Sequence, residues 1–195
     1  MSQKDVIEVE YEARLMVDEK TYLSLLEKYR KEEHVELVNV NTYFDSEDKY
    51  LTNHHMVLRV REIDESKNEL TLKIKGENGD EELNHILTIS EYKGMLEKNI
   101  LPECSAKEKL LELKIDLTKL KKITTLKTER LEVHYSDHIF VIDKNYFRNK
   151  VDFNVEVEST SKNSAISYLN DHVKEYGLSY KKGYISKSRR AILDL

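Results

Sequence analysis

Leu70-Thr71-Leu72-Lys73-Ile74-Lys75 changes character at every step, apolar and then polar. Side chains on a strand leave the backbone on alternate sides, so this spacing predicts one apolar face and one cationic face. Glycines at 76 and 79 follow, and Ile86, Leu87 and Ile89 mark a return strand, so residues 70–89 read as a hairpin. The same period runs outward in both directions. Leu58, Val60 and Ile63 flank Arg59 and Arg61. Val38, Val40, Thr42 and Phe44 alternate with Asn39, Asn41, Tyr43 and Asp45, and Ile7, Val9, Tyr11 and Ala13 with Glu8, Glu10, Glu12 and Arg14. Further on, Leu131, Val133 and Tyr135 oppose Arg130, Glu132 and His134, while Phe140 and Ile142 oppose Val141 and Asp143. Phe153, Val155 and Val157 oppose Asp152, Asn154, Glu156 and Glu158.

Helices fit between these strands. Asp18 can cap one that carries Tyr22, Leu25, Leu26 and Tyr29 on a single face. Ser105 with Glu108 has the spacing of a capping box ahead of Leu110, Leu111 and Leu113. Residues 163–176 are amphipathic through Ile166, Leu169 and Val173, and Gly177 suits a C-terminal cap. A short terminal helix is expected over residues 184–193. Strands outnumber helices, and the connections are short enough for an antiparallel sheet or barrel. Pro102 is the only proline, and the stretch 99–105 around it is the best candidate boundary between two halves.

The chain has 195 residues, enough for one domain with a sizeable core. Its formal net charge of −5 argues against a general binder of nucleic acid or anionic membrane, while leaving room for a local basic pocket. No apolar run approaches the roughly 20 residues that span a bilayer. Cys104 is the only cysteine, which excludes an internal disulfide and fits a reducing compartment. The amino terminus lacks an apolar signal core, so a cytoplasmic protein is expected.

For any one strand, a solvated polar face explains the charges. Several strands together are unusually rich in Arg and Lys on some faces and in Glu on others. Closing them into a barrel would bring those charges together, partly desolvated, in the lumen. Crowded cations call for a highly charged anion. Arg59, Arg61, Lys73, Lys75 and Arg130 supply positive charge for phosphate oxygens. Glu10, Glu12, Glu156 and Glu158 repel phosphate but bind hard cations such as Mg²⁺ or Mn²⁺, which also take phosphate oxygens.

Taken in order, these residues resemble the CYTH domain, or triphosphate tunnel metalloenzyme, family. Glu10-Tyr11-Glu12-Ala13-Arg14 is similar to its opening Glu-x-Glu-x-Lys. Tyr43-Phe44-Asp45, Leu51 and Leu58-Arg59-Val60-Arg61 resemble its next series, and Thr71-Leu72-Lys73-Ile74-Lys75 the strand after that. Thr128-Glu129-Arg130, Asp143 with Tyr146, residues 152–158, and finally Lys187 and Arg190 follow the second half. The subgroup it is most similar to is the small stand-alone type of Gram-positive bacteria, often labelled as candidate adenylate cyclases.

The resemblance implies one CYTH-like domain over residues 1–195, an α+β fold with a closed antiparallel β-barrel of about eight strands and helices outside. It also implies metal-dependent hydrolysis of a triphosphate: inorganic triphosphate first, with ATP or thiamine triphosphate behind it. Glu10, Glu12, Arg59, Lys73 and Arg130 would be the catalytic set. Arg14, Lys187 and Arg190 would be secondary phosphate contacts, and Glu10, Glu12, Glu156 and Glu158 would hold Mg²⁺ or Mn²⁺. A cyclase making cyclic AMP, or a polyphosphate-binding module without turnover, are the alternatives, and a homodimer is left open. Two departures stand out: Arg14 where the family has lysine, and Asn154 where glutamate is common.

The remaining candidates have plainer readings. His54-His55 is expected in a surface turn, because neighbours on a strand face opposite ways. His134 and His138 bracket a hairpin turn at Ser136-Asp137, and Cys104 has no partner for catalysis. Tyr43 is of interest because it shares a face with Asp45.

Overall fold

A computed structural model describes residues 11–63, 67–76 and 79–195, the side chains at 79 and 80 excepted. Its strands are β1 (Tyr11–Val17), β2 (Val35–Asp45), β3 (Met56–Glu62), β4 (Asn68–Gly76), β5 (Gly79–Leu87), β6 (Lys121–His134), β7 (His138–Phe147) and β8 (Lys150–Ser159). Its helices are α1 (Glu19–Tyr29), α2 (Tyr50–Asn53), α3 (Ile89–Lys98), α4 (Ser105–Glu112), α5 (Lys162–Val173) and α6 (Lys187–Leu193). The strands form an eight-stranded sheet in the order β1-β8-β7-β6-β2-β3-β4-β5. The pairs β1–β8, β7–β8, β2–β3, β3–β4 and β4–β5 are antiparallel. Glu10 and its neighbours upstream, and the hairpin tip at 77–78, lie outside the described residues.

Two compact units divide the chain. The described residues of the first fall within 40–126 and 188–195, and those of the second are 11–39 and 127–187. In the first, apolar residues from one side of β2, β3 and β4 (Phe44, Leu58, Leu70 and Leu72 among them) bury against Met95 of α3 and Leu110 of α4. In the second, Leu15, Phe140 and Val155 bury against Leu25 of α1 and Leu169 of α5. Burial of such side chains stabilises by about 1.5–3 kcal/mol each, which is why alternation in the sequence translates into one packed face.

Several local details depart from the sequence reading. The return strand stops at Leu87, and Ile89 opens α3 instead, because Thr88 and Glu91 form a reciprocal capping box there. At α4 the cap position is held by Cys104, with Ser105 already helical and no side-chain cap. The Ser105/Glu108 spacing is therefore one residue out of frame. Asp18 does cap α1, accepting from the Thr21 amide at 2.8 Å. Ser161 caps α5, and Gly177 takes up φ +68° after it. His54 stacks on Tyr50 at the end of α2, and His55 has φ +59°, a turn as expected.

Asp45 has a structural task. Its fully buried carboxylate accepts from the amides of Ser46 (2.8 Å), Leu51 (2.9 Å) and Thr52 (3.0 Å) and from the Thr52 hydroxyl (2.6 Å). It thus holds the turn that leads from β2 through α2 to β3. Removing the carboxylate leaves these donors buried and unmatched. Asp45→Ala should cost roughly 2–4 kcal/mol in chemical denaturation.

The second unit contains a hydrogen-bonded chain that its sequence spacing does not announce. Asp137 Oδ1 lies 2.9 Å from His138 Nδ1, His138 Nε2 lies 2.9 Å from His172 Nε2, and His172 Nδ1 lies 2.7 Å from the Tyr29 hydroxyl. The chain joins the β6–β7 turn to α5 and α1. Phe140 stacks on His172 at 4.0 Å and Tyr168 on His138 at 4.1 Å. Burial, with His138 next to it, pushes His172 down to about 4 from the ordinary 6.5. The folded protein therefore binds fewer protons than the unfolded chain between those values, so stability rises with pH across that window and is lost on acidification. Wild-type unfolding free energy should fall by up to about 1.4 kcal/mol per pH unit more steeply than that of His172→Phe between pH 6.5 and 4. Equal slopes in paired urea titrations would show that His172 is not held neutral.

Candidate functional site

Each unit carries one charged face. In the first, the strand register decides which side chains meet. Tyr43 lies opposite Arg59 and Arg59 opposite Thr71; Asn41 lies opposite Arg61 and Arg61 opposite Glu69; Val57 lies opposite Lys73 and Lys73 opposite Glu82. Direct partners in an antiparallel pair point the same way, so Arg59, Arg61, Lys73 and Lys75 share a face, as parity predicted. Lys73 Nζ donates to Glu82 Oε1 at 2.7 Å and Arg61 Nε to Asn41 Oδ1 at 3.1 Å. Burial opposes ionisation of Glu82, yet the Lys73 hydrogen bond and the charges of Lys73, Arg59 and Arg61 hold it below the usual carboxylate range. Lys75 is exposed, and Arg190, expected as a secondary contact, is buried on α6. Arg59 differs from these. Its Nε is buried and has no hydrogen-bond partner among the described residues.

In the second unit β1 and β8 bring Glu12 opposite Glu158 and Arg14 opposite Glu156. Asp143 of β7 lies opposite Asn154. Arg130 of β6 donates from Nε to Asp143 Oδ1 (2.8 Å), and from Nη2 to Asp143 Oδ2 (3.0 Å) and Glu156 Oε2 (3.1 Å). Its Nη1 lies 3.2 Å from Glu132 and 3.9 Å from Glu158. Lys187 Nζ sits 2.6 Å from Asp143 and 3.0 Å from Glu156, and Arg14 Nε lies 3.2 Å from Glu156 while its Nη2 pairs with Glu12. Burial opposes ionisation of both acids, but Lys187, Arg14 and Arg130 hold Glu156 far below the carboxylate range, and Arg130 and Lys187 lower Asp143 as well.

Glu12, Glu156, Glu158, Arg14, Arg130 and Lys187 are therefore brought together as the sequence suggested. Glu10 lies outside the described residues. Arg130 and Lys187, read from sequence as free phosphate holders, are already engaged by carboxylates. Glu132, Asp143, Asn145 and Asn154 complete the network. Glu132 was visible only as a parity partner of Arg130, whereas Asp143 and Asn154 also stood in the family resemblance.

Among the described residues, ion pairs of this network join three cations (Arg14, Arg130, Lys187) to five carboxylates (Glu12, Glu132, Asp143, Glu156, Glu158). Glu12 lies directly opposite Glu158, and each has a cation beside it, Arg14 and Arg130 in turn. The oxygens of these two acids suit a hard divalent ion in donor chemistry. Glu156, by contrast, is saturated by its three cationic neighbours. Among the described residues no three His, Cys, Asp or Glu groups stand in a ready-made metal arrangement. No helix among them is long and apolar enough to cross a membrane.

Comparison with known proteins agrees with this architecture. A family model described as the CYTH domain matches residues 8–184. A protein of Bacillus subtilis (strain 168), YjbK, named as a candidate triphosphatase, is 28% identical over 153 residues, 78% of each chain. The crystal structure of a candidate adenylate cyclase from Bacillus halodurans is 29% identical, with TM-score 0.84 over 94% of this chain and 97% of that one. The Hippeastrum protein HpAC1, described as a candidate adenylyl cyclase with a dominant triphosphatase activity, has the same fold: 17% identity, TM-score 0.75, and 93% of both chains covered. With the family's pattern running through nearly its whole length, this chain belongs to the CYTH domain family.

Proposed function

We propose that the protein hydrolyses a triphosphate in a reaction that needs Mg²⁺ or Mn²⁺, with inorganic triphosphate the first substrate and nucleoside or thiamine triphosphate behind it. The observation that carries this reading is Arg59, whose buried Nε lacks a hydrogen-bond partner among the described residues on a face shared with Arg61 and Lys73. An unmatched buried donor costs on the order of 1–3 kcal/mol, and an anion rich in oxygens removes that cost. Relatives named for triphosphatase chemistry support the same choice.

In this reading the sheet closes into a tunnel and both charged faces serve one substrate within a single domain. Arg59, Arg61, Lys73 and Lys75 hold the outer phosphate oxygens, Arg59 and Arg61 in forked contacts and the lysines as point charges. Arg130 lends positive charge from within its carboxylate cage. Glu12 and Glu158, with Glu10, hold the divalent ion, and Glu156 keeps Arg130, Arg14 and Lys187 in place beside it. A bound divalent ion supplies charge neutralisation at phosphate oxygens and lowers the pKa of a coordinated water. Arg14, Lys187 and Arg190 act behind these contacts. The lone free cysteine fits a cytoplasmic setting.

Conversion of ATP to cyclic AMP is the second reading, favoured by the name of the Bacillus halodurans structure. One assay separates the two. Purified protein with Mg²⁺ or Mn²⁺ receives triphosphate, ATP and thiamine triphosphate, and phosphate and cyclic AMP are both measured. Phosphate release from triphosphate is expected, lost on chelation and lowered at least ~100-fold in Glu12→Gln. Arg59→Ala should raise KM for triphosphate about 10–100-fold, equivalent to roughly 1.4–2.7 kcal/mol of lost binding. Cyclic AMP as the main product, or tight binding without turnover, would overturn the proposal.

A further inference from the structure

Beneath the ion pairs of the second unit lies a buried line of neutral polar groups. Thr128 Oγ1 donates to Asn145 Oδ1 at 2.8 Å, and Asn145 Nδ2 donates to Asn154 Oδ1 at 2.7 Å and to Asp152 Oδ1 at 2.8 Å. Asn154 Nδ2 in turn donates to Asp143 Oδ2 and to Glu156 Oε1, each at 3.2 Å. Asn145, Asn154 and Asp143 are fully buried, and Glu156 is 1% exposed.

The direction of this line is fixed by chemistry. An ionised carboxylate only accepts, so Asp152 sets which end of the Asn145 amide is its NH₂. Asn145 then obliges Asn154 to turn its oxygen toward it and its NH₂ toward Asp143 and Glu156. Reversing Asn154 would set its oxygen against two carboxylates and its NH₂ against that of Asn145. The donor between the two acids is therefore imposed from outside the ion-pair cluster.

We infer that Asn154 is a positioning residue whose amide fills the place between Asp143 and Glu156 that a cation would otherwise take, so that these two acids grip Arg130 and Lys187 rather than a divalent ion. A carboxylate at 154 would add a third negative charge to the same buried spot and attract metal into it. With the amide there, Lys187 and Arg130 complete the charge balance of the floor. The consequence for substrate rests on the triphosphatase reading, because loosened acids would let the two cations drift from the positions in which they meet phosphate. The consequence for metal count does not.

The test uses the full-length protein without substrate. Mn²⁺ is titrated into wild type, Asn154→Asp and Asn154→Ala, and free Mn²⁺ is followed by its electron paramagnetic resonance signal. Asn154→Asp should bind one additional Mn²⁺, or bind it at least ~10-fold more tightly, while Asn154→Ala, which vacates the place between the two acids, should bind Mn²⁺ more tightly than wild type and less tightly than Asn154→Asp. Unchanged binding in Asn154→Asp, or a site lost in Asn154→Ala, would overturn the inference. In triphosphate turnover, Asn154→Ala and Asn145→Ala should both raise KM about 3–10-fold with kcat within about threefold of wild type. Should Asn154→Asp not fold without metal, Asn145→Ala decides, and an unchanged KM there contradicts the proposal. If wild type releases no phosphate from triphosphate, the functional reading fails while the Mn²⁺ count still judges Asn154.

Discussion

Two carboxylates, Asp143 and Glu156, lie almost wholly out of water, and the second unit is organised around keeping them ionised. Removing an ion from water costs several kcal/mol, which is recovered only if opposite charges and donors surround it closely. Arg130, Lys187, Arg14 and the Asn154 amide do this from β6, α6, β1 and β8. A one-residue slip between β1 and β8 would turn Arg14 away and strand Glu156. The ion pairs and the apolar core on the opposite face therefore specify the same register, and neither could be satisfied in another one.

Much of this was legible in the sequence because parity survives folding. Leu58, Val60, Leu70 and Leu72 went to the core, and Arg59, Arg61 and Lys73 to the other face, since a period of two leaves no other arrangement once one side is buried. Glu12, Arg14, Glu156 and Glu158 likewise converge where β1 meets β8. The family resemblance, confirmed over residues 8–184, added the ordering of these strands into one pattern.

What stayed hidden depends on pairing between distant segments. Arg130 looks like a free phosphate ligand until Asp143 is seen beside it on β7, a neighbour fixed by hydrogen bonding and not by local sequence. His138 seemed structural and His172 unremarked, yet they face each other across 34 residues of chain at 2.9 Å. Asn154 stood out only as a departure from a common family glutamate, whereas its amide is aimed at two acids by Asn145. At helix ends the opposite problem arose. Ser105/Glu108 and Thr88/Glu91 share a capping pattern, and only tertiary placement decides that the second pair forms the box.

The triphosphatase reading takes the face of Arg59, whose buried Nε has no hydrogen-bond partner among the described residues, as a binder of phosphate oxygens, and the acid-rich face of β1 and β8 as a binder of a divalent ion. Calorimetric titration with a non-hydrolysable triphosphate analogue, in the presence and absence of Mg²⁺, examines this without requiring turnover. Binding that weakens at least ~10-fold when Mg²⁺ is withheld, and again in Arg59→Ala, is the expected result. Affinity indifferent to both the metal and Arg59 would mean that these faces serve something other than a metal-bridged triphosphate.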